Sequence, residues 1–486
     1  MEESLQKAAF SGIAWKLIEK FSIQAFSFIQ GVILARLLCP ADYGLVAMTG
    51  VFFAISYLMA DAGFSTALVQ KKNRTELDYS TVFITNIGLS FLFCSVLCLC
   101  SSWIADFYGE PLLRKIVCVN ALFLLMGSFL AVQQTRLSIN LEFRKQSIIN
   151  FVVTVVTGII AIIMAFYGYG VWSLIYPSGL AVIIRGVLLW KAQHWWPKPM
   201  FSKDSFNKFF SFGSKIMLTA LIKAIYNNLF PLIIGKKFTA TDLGYYTRAN
   251  GYAAMPADTM GNTLGSVSYP ILSKIQDDDE RLASAYRRMI GLSAYVLFPV
   301  MVGLAVLARP LVIVLVTDKW ESCIVYLQIL CFALMWNPIH SLNFNLLQTK
   351  GRADLRLKVE ILQKVICIIM LFLTVPFGIL YMCIGSVVVS FLCLFINTYY
   401  TGKLINVGFF VQMKDILPSL INSIIMGTIV GGVIYFISNM YLQLLTGVSV
   451  GIIYYIGISL LTKSTDYTYL RCILQENVLY RILKKS

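Results

Sequence analysis

The sequence predicts an all-α integral membrane protein with about fourteen transmembrane helices, and three observations predict it. Of 486 residues, 58% are hydrophobic and only 13% are charged, whereas a soluble domain is about 45–50% apolar and about 25% charged. Fourteen apolar runs succeed one another, each near the roughly 20 residues that one bilayer crossing needs. Basic residues also alternate between successive loops. Together these features exclude a soluble enzyme, a disordered chain and a nucleic-acid binder.

The apolar runs define the expected domain organisation. They cover residues 12–38, 43–69, 81–105, 115–135, 148–168, 170–190, 209–235, 243–270, 289–316, 322–347, 359–378, 380–400, 417–438 and 440–462. The predicted parts are an N-terminal half (1–190), a cytoplasmic linker (191–208), a C-terminal half (209–400), an additional helix pair (401–462) and a cytoplasmic amphipathic tail (463–486). Each half contains six spans.

The charge distribution predicts the orientation of the chain. With both termini in the cytoplasm, 26 of the 40 Lys and Arg residues fall in cytoplasmic segments, and only 6 fall in the opposite loops. Short loops rich in Lys and Arg stay cytoplasmic, so this split predicts an N-in, C-in topology. The outer loops are too short to house a catalytic domain, and the remaining 8 basic residues lie within spans.

A shift of 200 residues aligns segment 33–44 with segment 233–244. It matches Ile33 with Ile233, Asp42 with Asp242, Gly44 with Gly244 and, as basic residues, Arg36 with Lys236. Because each half has an even number of spans, the halves would share one orientation and be related by an axis along the membrane normal. Such a repeat predicts a substrate cavity between the two halves.

Polar residues recur at helical spacing within four of the predicted spans. Charged residues inside spans usually face an internal cavity or a partner, so a common water-filled cavity is the simplest destination for them. The candidate substrate-binding residues are Lys16, Lys20, Gln24, Asp61, Lys215, Lys223, Asn227, Arg248 and Asp258. Four alternatives stay open. Lys16 and Lys20 snorkel to the cytoplasmic surface, Asp61 ends a helix, Arg248 lies near the outer rim, or Asp258 is a structural counter-ion of Arg248 or Lys223.

The sequence offers little for catalysis or metal binding. Only two His residues are present, and the eleven Cys residues contain no C-x-x-C pair. No G-x-x-x-x-G-K-[ST] nucleotide-binding loop occurs. We therefore expect no catalytic residue, no metal site and no cofactor.

The segments ARLLCPADYGLVAMTGVF (35–52) and DAGFSTALVQKK (61–72), with LEFR (141–144), carry a family resemblance. The chain resembles the Wzx-type polysaccharide flippases of the MOP superfamily, nearest the colanic-acid and teichuronic-acid exporter branch. The resemblance implies alternating-access export of an undecaprenyl-pyrophosphate-linked oligosaccharide across the bacterial cytoplasmic membrane for surface polysaccharide synthesis. It also implies membrane lipids, a polysaccharide polymerase and chain-length machinery as partners.

The charge pattern agrees with that role for a physical reason. A pyrophosphate is too costly to move bare through hydrocarbon, and cations facing a hydrated cavity replace part of its lost hydration. The resemblance to lipid II flippases implies several cavity arginines, whereas the deep cations here are mainly lysines, which bind phosphate as mobile point charges.

Three other functions remain as alternatives, of which one, a membrane scaffold for a synthesis complex, leaves the charged stripes unexplained. An ion-coupled multidrug extruder of the same superfamily binds organic cations, and its cavity is expected to be acidic rather than basic. A membrane glycan polymerase or acyltransferase would need a sizeable outer loop or a buried His, and the sequence shows neither.

Overall fold

The computed structural model describes residues 2–193, 195–464, 466–469 and 471, with side chains from Glu19 onward. Throughout this part of the chain the regular structure is helical, with no β-strand. Contacts divide the chain into a first unit, Met1–Gly244, and a second unit, Tyr245–Ser486. The prediction of an all-helical fold is confirmed for the described residues.

The first unit contains ten complete helices. They are α1 (Glu2–Leu37), α2 (Pro40–Asp61), α3 (Phe64–Gln70), α4 (Glu76–Tyr108), α5 (Leu112–Ser128), α6 (Ala131–Ile139), α7 (Phe143–Phe166), α8 (Trp172–Gln193), α9 (Lys203–Asn227) and α10 (Leu229–Lys237). The next helix, α11 (Ala240–Ser273), begins in the first unit and continues into the second.

The second unit contains the remaining helices. They are α12 (Asp279–Val306), α13 (Ala308–Val316), α14 (Cys323–Leu334), α15 (Asn337–Thr349), α16 (Ala353–Thr374), α17 (Ile379–Ile405), α18 (Phe409–Tyr435) and α19 (Met440–Leu461), with short 3₁₀ turns at Asp318–Trp320 and Val375–Phe377.

Eleven spans in the described residues are long and apolar enough to cross a membrane, or twelve if α5 and α6, bent by 43°, form one crossing. Each of the fourteen predicted runs contains one helix or two consecutive helices. The two runs outside the set of twelve are those of α1 and α11, which have 36 and 34 residues. Both carry the polar stripes noted in the sequence.

The boundary between α2 and α3 is a backbone break. Asp61 ends α2, and the next two residues, Ala62 and Gly63, have positive φ angles of 46° and 76°. Gly63 packs against Gly213 of α9, where an added Cβ would lie 2.7 Å from the Gly213 Cα. A side chain at Gly63 would therefore force α9 away from α2.

The segment between α8 and α9, hereafter the strap (residues 195–202), is hydrogen-bonded to the start of α4. The Trp195 indole donates to Glu76 Oε2 at 2.7 Å, and the Ser202 amide donates to Thr81 Oγ1 at 3.1 Å. Trp195 is buried, and the Arg136 guanidinium lies 5.2 Å from its ring centroid. The predicted linker is thus fixed to the first unit on its way to α9.

Asp78, in the first turn of α4, holds the start of α9 as well. Its carboxylate is only 1% exposed and accepts hydrogen bonds from Lys71 Nζ at 2.7 Å and from Ser205 Oγ at 2.9 Å. Thr75 donates to the same carboxylate through its amide at 2.9 Å and its hydroxyl at 3.0 Å. A buried charge is tolerated only with such partners, so Asp78 organises this corner.

Replacing Trp195 with Phe tests the strap, because it removes the indole donor to Glu76 and keeps an aromatic ring. A hydrogen bond to a charged group contributes about 1.5–3 kcal/mol, so we expect melting of the purified protein to fall by about 2–4 °C. Trp196→Phe is the matched control, since Trp196 is 74% exposed. Equal melting of the two variants would contradict the strap contact.

Candidate functional site

Two polar faces and one polar cavity contain most of the predicted site residues whose side chains are described. The first face lies on α1, where Glu19 accepts hydrogen bonds from Ser147 Oγ at 2.6 Å and Asn150 Nδ2 at 2.7 Å of α7. Successive helical residues are about 100° apart, so this anchor turns Lys20 and Gln24 away from α7. Both are exposed. The side chain of Lys16 lies outside the described residues.

The second face lies on α9, whose opposite side packs on the first unit. Phe209 and Gly213 are buried there, and the helical spacing places the stripe on the other half of the helix. The exposed stripe residues are Lys215, Thr219, Lys223 and Asn227. Neither lysine has a side-chain hydrogen bond or an ion pair within the described residues. The stripe is therefore a cationic surface available to an anion.

A polar cavity of about 460 Å³ lies within the first unit. We call it the inner pocket, and its polar lining residues are Tyr57, Asp61, Asn86, Ser90, Ser128, Gln134, Ser178 and Arg185. Asp61 accepts a hydrogen bond from Ser65 Oγ at the end of α2. The cavity lies beside two helix breaks, between α2 and α3 and between α5 and α6.

Arg185 and Asn86 are the least satisfied groups of the inner pocket. Asn86 is 1% exposed; its amide oxygen lacks a protein partner, and its amide group lies beside the Asp61 carboxylate. The buried Nε of Arg185 also lacks one. Buried polar groups of this kind recruit water, and a cavity of this size holds about fifteen waters at roughly 30 Å³ each. The inner pocket is thus a polar recess within the helices that is large enough to hold water.

Sequence reasoning assigned no role to Arg185 or Glu19. Arg185 is a single cation in the apolar run 170–190, and the rule that charges inside spans mark functional positions would have identified it. Glu19 precedes Lys20 in the sequence but lies on a different face of α1, and its partners Ser147 and Asn150 are more than a hundred residues away. Only the packing of α1 on α7 reveals that contact.

Arg248 and Asp258, the two predicted site residues in the second unit, lie in different surroundings. The Arg248 guanidinium carbon lies 5.1 Å from the Tyr252 ring centroid and 5.6 Å from that of the fully buried Trp320, which is cation–π geometry. Asp258 is exposed further along α11. Arg248 is therefore held by aromatic rings, and Asp258 faces outward.

A larger groove of about 1250 Å³ in the second unit contains none of the predicted residues. It lies at the ends of α12, α18 and α19, where Arg287 makes a bidentate pair with Asp415 at 2.7 and 2.8 Å. Burial, with a contribution from Asp415, raises the pKa of Asp466 at the groove rim, and Arg288 lowers it. Its basic and acidic groups are balanced, so the groove lacks the cationic character of the α9 stripe.

The described residues contain no group of three or more His, Cys, Asp or Glu side chains able to hold a metal ion. The two faces and the inner pocket offer lysine ammonium groups, one guanidinium, one carboxylate, amides and hydroxyls. Such groups bind anions and hydroxylated ligands reversibly.

Known solved structures share this fold. A lipid II flippase, MurJ, in an inward closed conformation matches with a TM-score of 0.74 and 17% identity, covering 93% of this chain and 99% of that one. An inward-facing multidrug resistance MATE family transporter of the MOP superfamily matches with a TM-score of 0.59 and 15% identity, covering 79% and 95%. At these identities the likeness is one of fold.

Two relatives identified by sequence are proteins of polysaccharide biosynthesis. The lipopolysaccharide biosynthesis protein WzxC of Escherichia coli (strain K12) is 24% identical over 368 residues, 74% of this chain and 73% of that protein. The teichuronic acid biosynthesis protein TuaB of Bacillus subtilis (strain 168) is 24% identical over 354 residues, 72% and 73%. These matches confirm the resemblance read from residues 35–72.

A protein-family model matches a large enough part of the chain to establish the family to which the chain belongs. The model described as "Polysaccharide biosynthesis protein" matches residues 33–325, which is more than half of the chain. This range includes α2, the strap, the α9 stripe and all the residues that line the inner pocket. The chain therefore belongs to the polysaccharide biosynthesis protein family.

Proposed function

We propose that the protein is a flippase for a polyprenyl-pyrophosphate-linked oligosaccharide. It receives the polar head at the cytoplasmic face of the membrane, passes it through a cationic, water-filled cavity by alternating access, and releases it at the outer face. It is a transporter rather than an enzyme. The fold it shares with MurJ and the family membership support this assignment.

The observation that carries the proposal is the exposed pair Lys215 and Lys223 on the membrane-spanning helix α9. A lysine at the centre of a membrane helix costs about 2.5–3.5 kcal/mol when it faces lipid. Two such residues on one face therefore favour an aqueous cavity over contact with lipid. A pyrophosphate entering that cavity would exchange water for charge-assisted contacts.

The lysine stripe also suits release of the cargo. Lysine is a compact point charge without the fixed bidentate geometry of arginine, so a pyrophosphate can move along the stripe from one ammonium group to the next. An anion moving outward across an inside-negative membrane gains about 2.3 kcal/mol per charge per 100 mV. Membrane potential can thus supply direction without a nucleotide site.

The topology and cellular setting belong to the same proposal. The chain crosses the bacterial cytoplasmic membrane fourteen times with both termini inside. Residues 1–190 and 209–400 form two six-helix halves, and residues 401–462 form an additional helix pair. The alternation of basic loops supports this arrangement. A polysaccharide polymerase and chain-length machinery act on the released product.

The experiment that tests the proposal is deletion of the gene in its host, followed by extraction of membrane lipids. We expect a pyrophosphate-linked oligosaccharide to accumulate on the cytoplasmic leaflet and surface polysaccharide to fall, with restoration by the wild-type gene. A probe that reaches only the outer face distinguishes the two leaflets in intact cells.

The same assay separates the competing functions. Unchanged surface polysaccharide without accumulation, together with increased sensitivity to organic cations, would replace the flippase with a multidrug extruder. Accumulation of single repeat units on the outer leaflet would instead indicate a polymerase. Either result would contradict the proposed function.

A further inference from the structure

The first turns of α2 and α11 have the same construction. Asp42 Oδ2 accepts a hydrogen bond from the Cys39 amide at 3.0 Å, and Asp242 Oδ2 accepts from the Thr239 amide at 3.2 Å. Each Asp therefore closes the beginning of its own helix in a capping arrangement. The 200-residue spacing seen in the sequence corresponds to equivalent positions in two helix starts.

These two turns also contact each other reciprocally, within the first unit. A methyl group on Gly44 would overlap the Ala240 carbonyl oxygen and lie 3.0 Å from the Ala240 Cα. A methyl group on Gly244 would overlap the Pro40 carbonyl oxygen and lie 2.7 Å from the carbonyl carbon. Each glycine thus packs on the residue four positions before its counterpart. We call these four residues the clasp.

Close approach is the reason for glycine at both positions. Both residues lie in regular helix without positive φ, so the backbone conformation itself would accept any residue. Both glycines, Pro40 and Ala240 are buried. Small residues at a helix crossing let backbones meet closely, as in other membrane proteins.

The clasp contacts are weak individually and depend on shape. Backbone contacts of this type lack the strength of an ion pair, and both nearby carboxylates serve the caps of their own helices. In the proposed topology, the neighbouring Arg36 and Lys236 lie on the outer side of the membrane. A weak, shape-dependent contact at the outer side has the properties of a seal that opens and closes repeatedly.

We propose that the clasp is the outer seal of the transport path, and that Gly44 and Gly244 are positioning residues that allow it to close. The inference rests on the proposed alternating-access function. When the path opens outward the two turns separate, and when it opens inward the glycines let them meet. A side chain at either glycine keeps the seal from closing fully.

The test uses the full-length protein in right-side-out membrane vesicles and a charged, membrane-impermeant maleimide. Leu243 is 0% exposed beside the clasp, so Leu243→Cys, in a background in which all eleven native Cys residues are replaced by Ser, reports opening. Gly44→Ala and Gly244→Ala are each expected to increase the labelling rate about tenfold, because overpacking shifts such an equilibrium by about that factor.

Two glycines on the same helices serve as matched controls. Gly50 of α2 has its nearest neighbour at 3.5 Å, and Gly251 of α11 has open space around it. Gly50→Ala and Gly251→Ala are therefore expected to label at the rate of the parent. Parent-like labelling of Gly44→Ala and Gly244→Ala, at normal amounts in the membrane, would overturn the clasp.

A second arm keeps the native glycines. Cys39 and Thr239 precede the two turns and are both exposed, so a flexible cleavable bis-maleimide can join Cys39 to Thr239→Cys. In a background in which the other ten native Cys residues are replaced by Ser, cross-linking is expected to stop transport and cleavage is expected to restore it. The reagent is expected to have no effect on the two variants that keep only Cys39 or only Thr239→Cys. Full transport by cross-linked protein would overturn the proposal.

The labelling result is independent of the cargo. Faster labelling of the glycine variants, combined with no accumulated oligosaccharide in the deletion strain, would keep the clasp and reject the flippase. Accumulation combined with unchanged labelling would keep the flippase and reject the clasp.

Discussion

A protein with Lys215→Glu and Lys223→Glu is expected to leave lipid-linked oligosaccharide on the cytoplasmic leaflet as completely as deletion of the gene. Each change removes a cation from the α9 stripe and places an anion there. Loss of two charge-assisted contacts at about 1.5–3 kcal/mol each weakens pyrophosphate binding by more than about a hundredfold. The measurement is the amount of accumulated lipid-linked oligosaccharide per cell.

Matched variants separate charge from shape. Lys215→Arg with Lys223→Arg keeps both cations and is expected to retain most transport. Lys208→Glu changes an exposed lysine near the beginning of the same helix and is expected to have little effect. Lys223→Ala should reduce transport more than Lys215→Ala, since Lys223 lies further from the proposed cytoplasmic end of α9. Normal surface polysaccharide in the double Glu variant would show that the stripe does not contact the cargo.

Replacing Asp78 with Ala is expected to produce the largest loss of stability among single changes in the first unit. The carboxylate is nearly fully buried and accepts hydrogen bonds from Lys71, Thr75 and Ser205. Breaking such a buried arrangement costs about 3–5 kcal/mol. We expect a strong decrease in the melting temperature of the protein purified in detergent. The measurement is size-exclusion chromatography, which follows the loss of folded protein on heating.

Asp204→Ala provides the control for this prediction, because Asp204 is exposed and adjacent in sequence to Ser205. Ser205→Ala alone should cost about 1.5–3 kcal/mol, typical of one hydrogen bond to a charged group. A double-mutant cycle between Asp78 and Ser205 then measures their coupling. If Asp78→Ala melted like Asp204→Ala, the corner formed by α3, α4 and α9 would not depend on the carboxylate.

The helical fold could be predicted because apolar run length depends only on local composition. The positions at which a single apolar run divides into two helices could not be predicted in this way. The run 43–69 divides after Asp61, where Ala62 and Gly63 adopt positive φ angles, and that conformation depends on the packing of Gly63 against Gly213. The run 115–135 likewise divides between α5 and α6. Contacts distant in the sequence decide both breaks.

The candidate site was predictable where helical periodicity sufficed. The spacing of Lys215, Lys223 and Asn227 places them on one exposed face of α9, as the structure shows. Periodicity alone could not place Asp61 and Arg185 at one cavity, because their proximity depends on how α2 and α8 pack. The aromatic surroundings of Arg248 were missed for the same reason, since Trp320 is far away in the sequence.

The strap has a consequence for building chimaeras from related transporters. Hydrogen bonds from Trp195, Ser202 and Ser205 hold the chain between α8 and α9 and the first turn of α9 on α4. A chimaera that joins the gene segments of two parents at the linker would therefore combine α4 of one parent with α9 of the other. A junction after Gly244 instead keeps these partners from the same parent. Chimaeras joined after Gly244 should therefore fold better than chimaeras joined at the linker, although the linker is the more obvious junction.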